Sequence, residues 1–177
     1  MGLYLVESSL KGIVSTKEDL NQTTKSLQEK LSANNAALIE LQVSKDFTRA
    51  FFIFEGEKRS NFTDVLREFS IPVQLVKQVR LVGKDLEEVK KSNEVVNYLV
   101  EWNIPEDITM DQYLARKQKN SVHYQEVPEV KFSRTYVCED MTKCLCFYDA
   151  PDEEAVKRAR KAVQTPIDSI TEILPNE

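Results

Sequence analysis

The sequence has little glycine, little proline and a single histidine, and it lacks an excess of basic residues. Its 177 residues include 4 Gly and 6 Pro, which leaves no room for a long low-complexity linker. The 24 Lys and Arg are outnumbered by 29 Asp and Glu, which argues against a nucleic-acid partner. No stretch approaches the ~20 apolar residues of a membrane span. We therefore expect an acidic soluble protein that neither binds nucleic acid nor spans a membrane.

Cysteine is also scarce, and no secretion signal is evident. The three cysteines, Cys138, Cys144 and Cys146, lie close together without a wider disulfide framework. An odd count of this kind is typical of free thiols in a reducing compartment. The first residues reach Glu7 without a basic segment, which is not typical of a secretion signal. The sequence predicts a cytoplasmic protein.

The chain contains the tetrapeptide Tyr-Leu-Val-Glu twice. It begins at Tyr4 and again at Tyr98, a shift of 98 − 4 = 94 residues. Other identical pairs that share this shift are Val43 and Val137, Asp46 and Asp140, Thr48 and Thr142, and Pro72 and Pro166. A constant shift predicts that one folding unit has been duplicated. We predict repeat one at residues 1–83, a linker at 84–94 and repeat two at 95–177.

Each repeat shows the same order of predicted elements: strand, helix, strand, strand, helix, strand. The first helix is predicted to begin near Ser15 in repeat one and at Thr109 in repeat two, where Glu18 and Gln112 give the form of a capping box. This order is the split βαβ pattern of ferredoxin-like folds. We predict an α+β protein of two tandem ferredoxin-like (βαββαβ) repeats with antiparallel sheets. Because helices would cover one face of each sheet, we also predict an intramolecular pseudo-dimer, with sheets packed face to face or closed toward an α+β barrel.

The second helix of repeat two carries a basic run. The run consists of Lys157, Arg158, Arg160 and Lys161. Basic residues toward the end of a helix complement its dipole, and we interpret the run as a solvated face. Alanine and valine residues at helical spacing predict the buried face of this helix. In repeat one that face is predicted from Phe62, Val65, Leu66 and Phe69.

Most of residues 96–174 resembles a known family. The resemblance rests on Tyr98–Glu101, Tyr136–Asp140, Cys146–Ala155 and Pro166–Ile173. These segments are similar to the small ferredoxin-like domains of unknown function related to a bacterial nickel-binding protein. The resemblance implies that fold for repeat two and, through the duplication, for repeat one.

The resemblance also implies two metal-binding histidines, and this sequence departs from it there. Family members often carry one histidine just before the Ser-Tyr-Val-like strand and another midway along the second helix. Arg134 and Ala159 stand at those positions, and the single histidine, His123, lies outside both. Neither a guanidinium nor a methyl group can replace imidazole as a nickel or zinc ligand. We therefore expect no family-type metal site and no cofactor.

The first functional hypothesis is a non-catalytic interaction or regulatory protein that binds a small ligand or a protein partner. Association into a homo-oligomer is left open. The candidate ligand-binding residues are Glu7, Glu101, Trp102, Arg134, Tyr136, Cys146 and Tyr148. The sequence contains no Gly-rich phosphate loop, paired-histidine helix or nucleophile elbow. We therefore assign no catalytic residue.

Two alternatives stay open beside this hypothesis. In the first, the chain is an enzyme with a cavity between its sheets and with Glu7 or Glu101 as acid or base. We favour an ion pair for these acids, with Arg134, a lysine or a backbone N–H at the rim of the sheet. In the second, the three cysteines bind a metal, although Cys-x-Cys on a strand lacks the spacing of zinc loops. Packing is favoured, because repeat one places apolar residues at the positions of Cys144, Cys146 and Tyr148, namely Ala50, Phe52 and Phe54.

Overall fold

A computed structural model describes residues 1–91 and 94–175. Residues 92, 93, 176 and 177, which belong to the predicted linker and the end of repeat two, lie outside the described residues. Within the described part, the chain forms eight β-strands, five α-helices and one 3₁₀ helix. It divides into two compact units, Met1–Val79 and Arg80–Glu177. No helix in the described ranges is both long and apolar enough to span a membrane.

The first ferredoxin-like repeat occupies the first unit, except that its last strand runs three residues beyond Val79. Its elements are β1 (Gly2–Ser8), α1 (Lys17–Ala33), β2 (Ala37–Val43), β3 (Ala50–Gly56), α2 (Ser60–Glu68) and β4 (Leu75–Val82). The strands pair antiparallel in the order β2-β3-β1-β4. Helices α1 and α2 pack on one face of the sheet. The stacked rings of Phe52, Phe54 and Phe62 lie at the centre of that core.

The second unit repeats this arrangement after a short additional helix. Its elements are α3 (Leu86–Lys91), β5 (Tyr98–Asn103), α4 (Met110–Asn120), a 3₁₀ helix (Ser121–Glu126), β6 (Lys131–Cys138), β7 (Lys143–Asp149), α5 (Glu153–Ala162) and β8 (Ser169–Glu172). Strands β5 to β8 pair antiparallel in the order β6-β7-β5-β8. The predicted α+β class, with two tandem ferredoxin-like repeats, is confirmed.

The two repeats share their strand register as well as their topology. Val6 pairs with Phe52 in the first repeat, and Val100 pairs with Cys146 in the second. The register shifts after Leu38 in β2, and it shifts again after Phe132 in β6, where 132 − 38 = 94. A β-bulge decides which side chains of a strand face the core. The duplication has therefore preserved the facing of every equivalent strand position.

The hairpin turns are duplicated in detail. The Asp46 carboxylate accepts hydrogen bonds from the Thr48 N–H at 3.1 Å and the Thr48 hydroxyl at 2.6 Å. Asp140 and Thr142 form the same pair of bonds at 3.1 and 2.7 Å. The residue after each aspartate has a positive φ of 62°. The identical Asp and Thr residues in the sequence are thus explained by one turn used twice.

The helix ends agree with the predictions in part. In repeat two, Thr109 and Gln112 form the predicted capping box. In repeat one the prediction of Ser15 is wrong by one residue, because the hydroxyl of Thr16 accepts the Asp19 N–H at 3.0 Å. Both second helices end in left-handed residues, Ser70 and Gln164, with φ of 58° and 55°. Schellman-type hydrogen bonds close the helix ends at these two residues.

Candidate functional site

The register of the second repeat separates the predicted site residues onto opposite faces. Trp102, Cys146 and Tyr148 lie on the face that packs against α5. Their neighbours along the strands point away from that face. Glu101, Arg134 and Tyr136 consequently lie on the opposite face of the sheet, and Glu7 belongs to the first unit. The structure therefore brings together only part of the predicted set.

The repeated glutamates form repeated ion pairs. Glu101 pairs with the Lys143 ammonium group at 2.9 Å, and Glu7 pairs with the Arg49 guanidinium at 3.1 Å. The cations occupy equivalent positions, since 143 − 49 = 94. Arg134, one of the expected partners, donates to the Ser133 hydroxyl at 2.6 Å. The ion pairing that we favoured for these acids is thus present, with lysine and arginine from β7 and the start of β3 as cations.

The three thiols do not form one cluster. Val137 pairs with Cys144, so Cys138 points to the other face of the sheet. Cys144 and Cys146 share the helix-covered face of the sheet. All three cysteines are free and buried. The predicted three-thiol metal cluster is therefore replaced by a pair, and the geometric reason is strand alternation.

Arg160 belongs to the candidate site, although the sequence did not predict it there. We expected it on a solvated face, but it is buried and only 2% exposed. Its guanidinium donates to the Cys146 sulfur at 3.3 Å, to the Tyr148 hydroxyl at 3.1 Å and to the Pro166 carbonyl at 2.5 Å. Its Nε has no hydrogen-bond partner within residues 1–91 and 94–175, and none of the three acceptors of the guanidinium is a carboxylate. A buried cation in this state is costly.

Together these residues form a polar cluster within an apolar core. We call Cys144, Cys146, Tyr148 and Arg160 the thiol–arginine cluster. The Thr135 hydroxyl also donates to the Cys146 sulfur at 3.2 Å. The hydroxyl groups of Tyr124 and Tyr148 are 2.6 Å apart. The polar groups around the Cys146 sulfur therefore either donate hydrogen bonds to it or belong to the hydrogen-bond network of Arg160.

The first repeat shows that the fold does not require this cluster. The equivalent positions in repeat one hold apolar side chains that are all 0% exposed: Ala50, Phe52, Phe54 and Leu66. They fill the same space in the same strand register. Because hydrophobic residues of similar volume usually stabilise a core as well as a buried charge does, the cluster needs another explanation. Repeat one therefore shows the same fold without the thiol–arginine cluster, within the same chain.

A small recess leads from the surface to the cluster. It has a volume of about 20 Å³ and is lined by Trp102, Tyr113, Arg116, Lys117, Cys146, Arg160 and Thr165. Arg116 at its mouth is exposed and lies over the Trp102 ring at 5.5 Å. The recess therefore has room for at least one water molecule. Three cations and no carboxylate line it among the described residues, so the recess is positively charged.

Hydrogen bonding, charge and burial shift the pKa values of Cys144 and Cys146 in opposite directions. The hydrogen bond from Cys144 holds the pKa of Cys146 well below its usual range, and the charges of Lys117 and Arg160 add to this against the effect of burial. The same bond, together with burial, raises the pKa of Cys144. Burial raises the pKa of Tyr148 to about 12. The site thus favours a thiolate at Cys146 beside neutral thiol and phenol groups.

One sequence signal indicates the buried arginine. Position 160 is equivalent to Leu66, since 160 − 66 = 94, and Leu66 was predicted on the apolar face of its helix. A charged residue at a core position is unusual. The other residues that the sequence did not predict are Tyr113, Arg116 and Lys117, which lie on α4. The equivalent helix of repeat one, α1, offers no comparison like that between Arg160 and Leu66.

A second, wider surface depression is less suited to a site. It has a volume of about 490 Å³ and is lined by residues of the 3₁₀ helix and α5. Two of its lining residues form ion pairs at the surface: Arg158 with Glu129 at 3.0 Å and His123 with Glu126 at 2.6 Å. Exposed pairs of this kind are typical of a solvated surface.

Comparison with known proteins relates repeat two to one family and the whole chain to one fold. Residues 98–173 match the family model described as nickel responsive protein SCO4226-like, which confirms the predicted resemblance. SCO4226 from Streptomyces coelicolor A3(2) is 21% identical, with a TM-score of 0.38, covering 43% of this chain and 93% of that one. None of the curated proteins matches the sequence.

Two further solved structures cover nearly the whole chain. A putative chlorite dismutase, TA0507, is 13% identical with a TM-score of 0.56, covering 98% of this chain and 95% of that one. A putative monooxygenase from Lactobacillus acidophilus NCFM is 10% identical with a TM-score of 0.54, covering 99% and 94%. At these identities the similarity concerns the fold alone.

The nickel response named for the family does not fit the residues present here. The described residues contain no group of three or more His, Cys, Asp or Glu side chains arranged to hold a metal ion. In the second repeat, Cys144 and Cys146 stand beside the guanidinium of Arg160, whose positive charge opposes a cation. The donor set therefore suits an anion better than nickel.

Proposed function

We propose that this chain is a non-catalytic binding protein and that its second repeat binds a small anion in the recess beside Arg160. The observation that carries the proposal is a buried arginine without a carboxylate partner among the described residues. Even with Cys146 as a thiolate, Arg116, Lys117 and Arg160 give the recess a positive balance. An entering anion would meet donors fixed by the surrounding fold, which lowers the cost of ordering them.

The recess also limits the size and affinity of the ligand. A volume of about 20 Å³ suits a molecule of a few atoms. The best small ligands gain about 1.5 kcal/mol per non-hydrogen atom, so nitrite, with three, would gain at most about 4–5 kcal/mol. That corresponds to a dissociation constant on the order of 1 mM. Millimolar binding is therefore the affinity to look for.

The ion pairs of Glu7 and Glu101 favour this role over acid–base catalysis. Each carboxylate accepts from a cation on a neighbouring strand, which is sufficient to explain the repeated glutamate. Neither residue lines the recess. A protein partner and a homo-oligomer stay predictions.

The test is calorimetry and thermal unfolding of the purified full chain with sodium nitrite, at constant ionic strength. We expect nitrite to bind the wild type and to raise its melting temperature. Arg160→Leu, which installs the residue of repeat one, should abolish binding. Arg67→Leu is the matched control, because Arg67 lies on the equivalent helix but is 72% exposed in its side chain.

Two results would contradict the proposal. One is the absence of nitrite binding to the wild type at concentrations well above the millimolar range. The other is equal binding by wild type and Arg160→Leu. Should Arg160→Leu not fold, Lys117→Gln supplies the test, since Lys117 lines the recess and is only partly buried.

A further inference from the structure

The base of the recess presents a sulfur atom that anion binding leaves unused. We infer that Cys146 is a site of oxidation by hydrogen peroxide, or by a hydroperoxide of similar size, that enters through the recess. The inference rests on the proposed role of the recess as a ligand site. It adds the chemical class of a reacting ligand and the atom with which that ligand reacts.

The geometry around the sulfur fits a thiolate. Arg160 donates to it at 3.3 Å and Thr135 donates to it at 3.2 Å. A thiolate accepts such bonds strongly, whereas a thiol is a weak acceptor. With no carboxylate beside Arg160 in the described part of the chain, the sulfur is the group that balances the guanidinium charge. The pKa of Cys146, held low first by the Cys144 hydrogen bond, agrees with this assignment.

The other two cysteines lack these features and serve as internal references. The pKa of Cys144 is raised by its hydrogen bond with Cys146 and by burial, which favours the protonated thiol. Cys138 lies on the opposite face of the sheet, and burial raises its pKa. Because the thiolate is the reactive form of cysteine, the three sulfurs differ in expected reactivity within one folded protein.

Access to the sulfur is restricted by size. Cys146 is 1% exposed, but it lines the recess that Arg116 and Thr165 open to solvent. A molecule of two oxygen atoms is close to water in size and suits a space of about 20 Å³. Cumene hydroperoxide, which carries an aromatic ring, does not. The recess therefore predicts selectivity between peroxides by bulk.

The reaction is a two-electron oxidation of sulfur. The Cys146 thiolate attacks one oxygen of hydrogen peroxide, an S–O bond forms and the O–O bond breaks. The attacked oxygen stays on sulfur with its hydrogen, as a sulfenic acid. The second oxygen leaves as hydroxide and takes a proton from solvent to become water. Sulfur is oxidised and peroxide is reduced, so no further reactant is needed.

The experiment exposes the folded full chain to hydrogen peroxide and follows each cysteine by digestion and mass spectrometry. We expect Cys146 to gain one oxygen atom at least about tenfold faster than Cys138, because the thiolate is the reacting form and the two pKa values are shifted in opposite directions. Cumene hydroperoxide should react with Cys146 at least about tenfold more slowly than hydrogen peroxide. In denaturant, the differences between cysteines should disappear.

Variants separate the recess from general exposure. Arg160→Leu should slow oxidation of Cys146, and Lys117→Gln should slow it to a smaller degree while leaving the core unchanged. Arg67→Leu should have no effect. The inference is overturned if Cys138 reacts as fast as Cys146 in the folded chain, if cumene hydroperoxide reacts equally fast, or if both recess variants react like the wild type.

The outcomes also distinguish this inference from the proposed function. Nitrite binding without oxidation of Cys146 would overturn the oxidation site alone. Oxidation of Cys146 without nitrite binding would overturn the anion-binding role and keep the thiolate chemistry. Absence of both would overturn both.

Discussion

Replacing Tyr148 by phenylalanine tests whether the buried network stabilises the second repeat. Tyr148 is fully buried, and its hydroxyl accepts from Arg160 at 3.1 Å and lies 2.6 Å from the Tyr124 hydroxyl. Tyr148→Phe keeps the aromatic ring and removes only the oxygen. It leaves Arg160, which is only 2% exposed, with one acceptor fewer.

The magnitude follows from the two hydrogen bonds. Losing an acceptor for a charged donor costs about 1.5–3 kcal/mol, and losing a neutral hydrogen bond costs about 0.5–1.5 kcal/mol. Arg160 keeps its bonds to Cys146 and Pro166, and the variant no longer buries a hydroxyl, which offsets part of the loss. We expect the free energy of unfolding to fall by about 2 kcal/mol.

The duplicated position supplies the reciprocal control. In repeat one, Phe54 is equivalent to Tyr148 and Leu66 is equivalent to Arg160. Phe54→Tyr therefore buries a hydroxyl without an arginine beside it, and we expect the free energy of unfolding to fall by about 1–3 kcal/mol. Urea unfolding is followed by circular dichroism and by fluorescence of Trp102. Trp102 is the single tryptophan of the sequence and is buried in repeat two, so its emission reports on that repeat.

The result that refutes the reasoning is specific. If Tyr148→Phe unfolds within about 0.5 kcal/mol of the wild type, with an unchanged dependence on urea, the network contributes nothing to stability. A more stable variant would mean that the hydroxyl is a cost borne for function alone. Either outcome would remove hydrogen bonding as the explanation for the buried phenol.

Three further predictions concern pH and the helix and hairpin turns. Because the pKa of Tyr148 is raised to about 12, the stability that its neutral phenol contributes is present below about pH 10 and is lost as pH rises through 12. In urea titrations over this pH range, Tyr148→Phe should lose less stability than the wild type. The Thr48 and Ser44 hydroxyls lower the pKa of Asp46 to about 2, so Asp46→Asn should unfold more easily at pH 7, with the difference vanishing as pH falls from about 4 through 2. Gln164→Gly should raise the free energy of unfolding by about 1 kcal/mol, because glycine adopts φ of 55° without strain; unchanged stability in urea would contradict this.

Much of the fold was predictable because its signals are local and occur twice. The capping residues Thr109 and Gln112, the alternation of the strands and the Asp-x-Thr turns are each read within a few residues. Because each signal recurs 94 residues later, a prediction for one repeat could be checked against the same prediction for the other repeat. The cap at Thr16 differed by one residue because serine and threonine hydroxyls can both cap a helix, and the two residues are neighbours in the sequence.

The candidate site was predictable only where strand alternation placed it. Trp102, Cys146 and Tyr148 were among the predicted residues and do lie near the recess. Arg160 was assigned to solvent, because a basic residue near a helix end is usually exposed. Its Leu66 equivalent was the one available signal, and it carries weight only once the shared register is known.

The sequence by itself determined the duplication, the βαββαβ order and the free state of the thiols, since these depend on spacing and composition. Tertiary structure decided that Cys138 faces away from Cys144, that Glu101 pairs with Lys143 and that Arg160 points inward to Cys146. The physical reason is that strand register, a β-bulge and the rotation of one helix select which side chains meet. No local pattern contains that information.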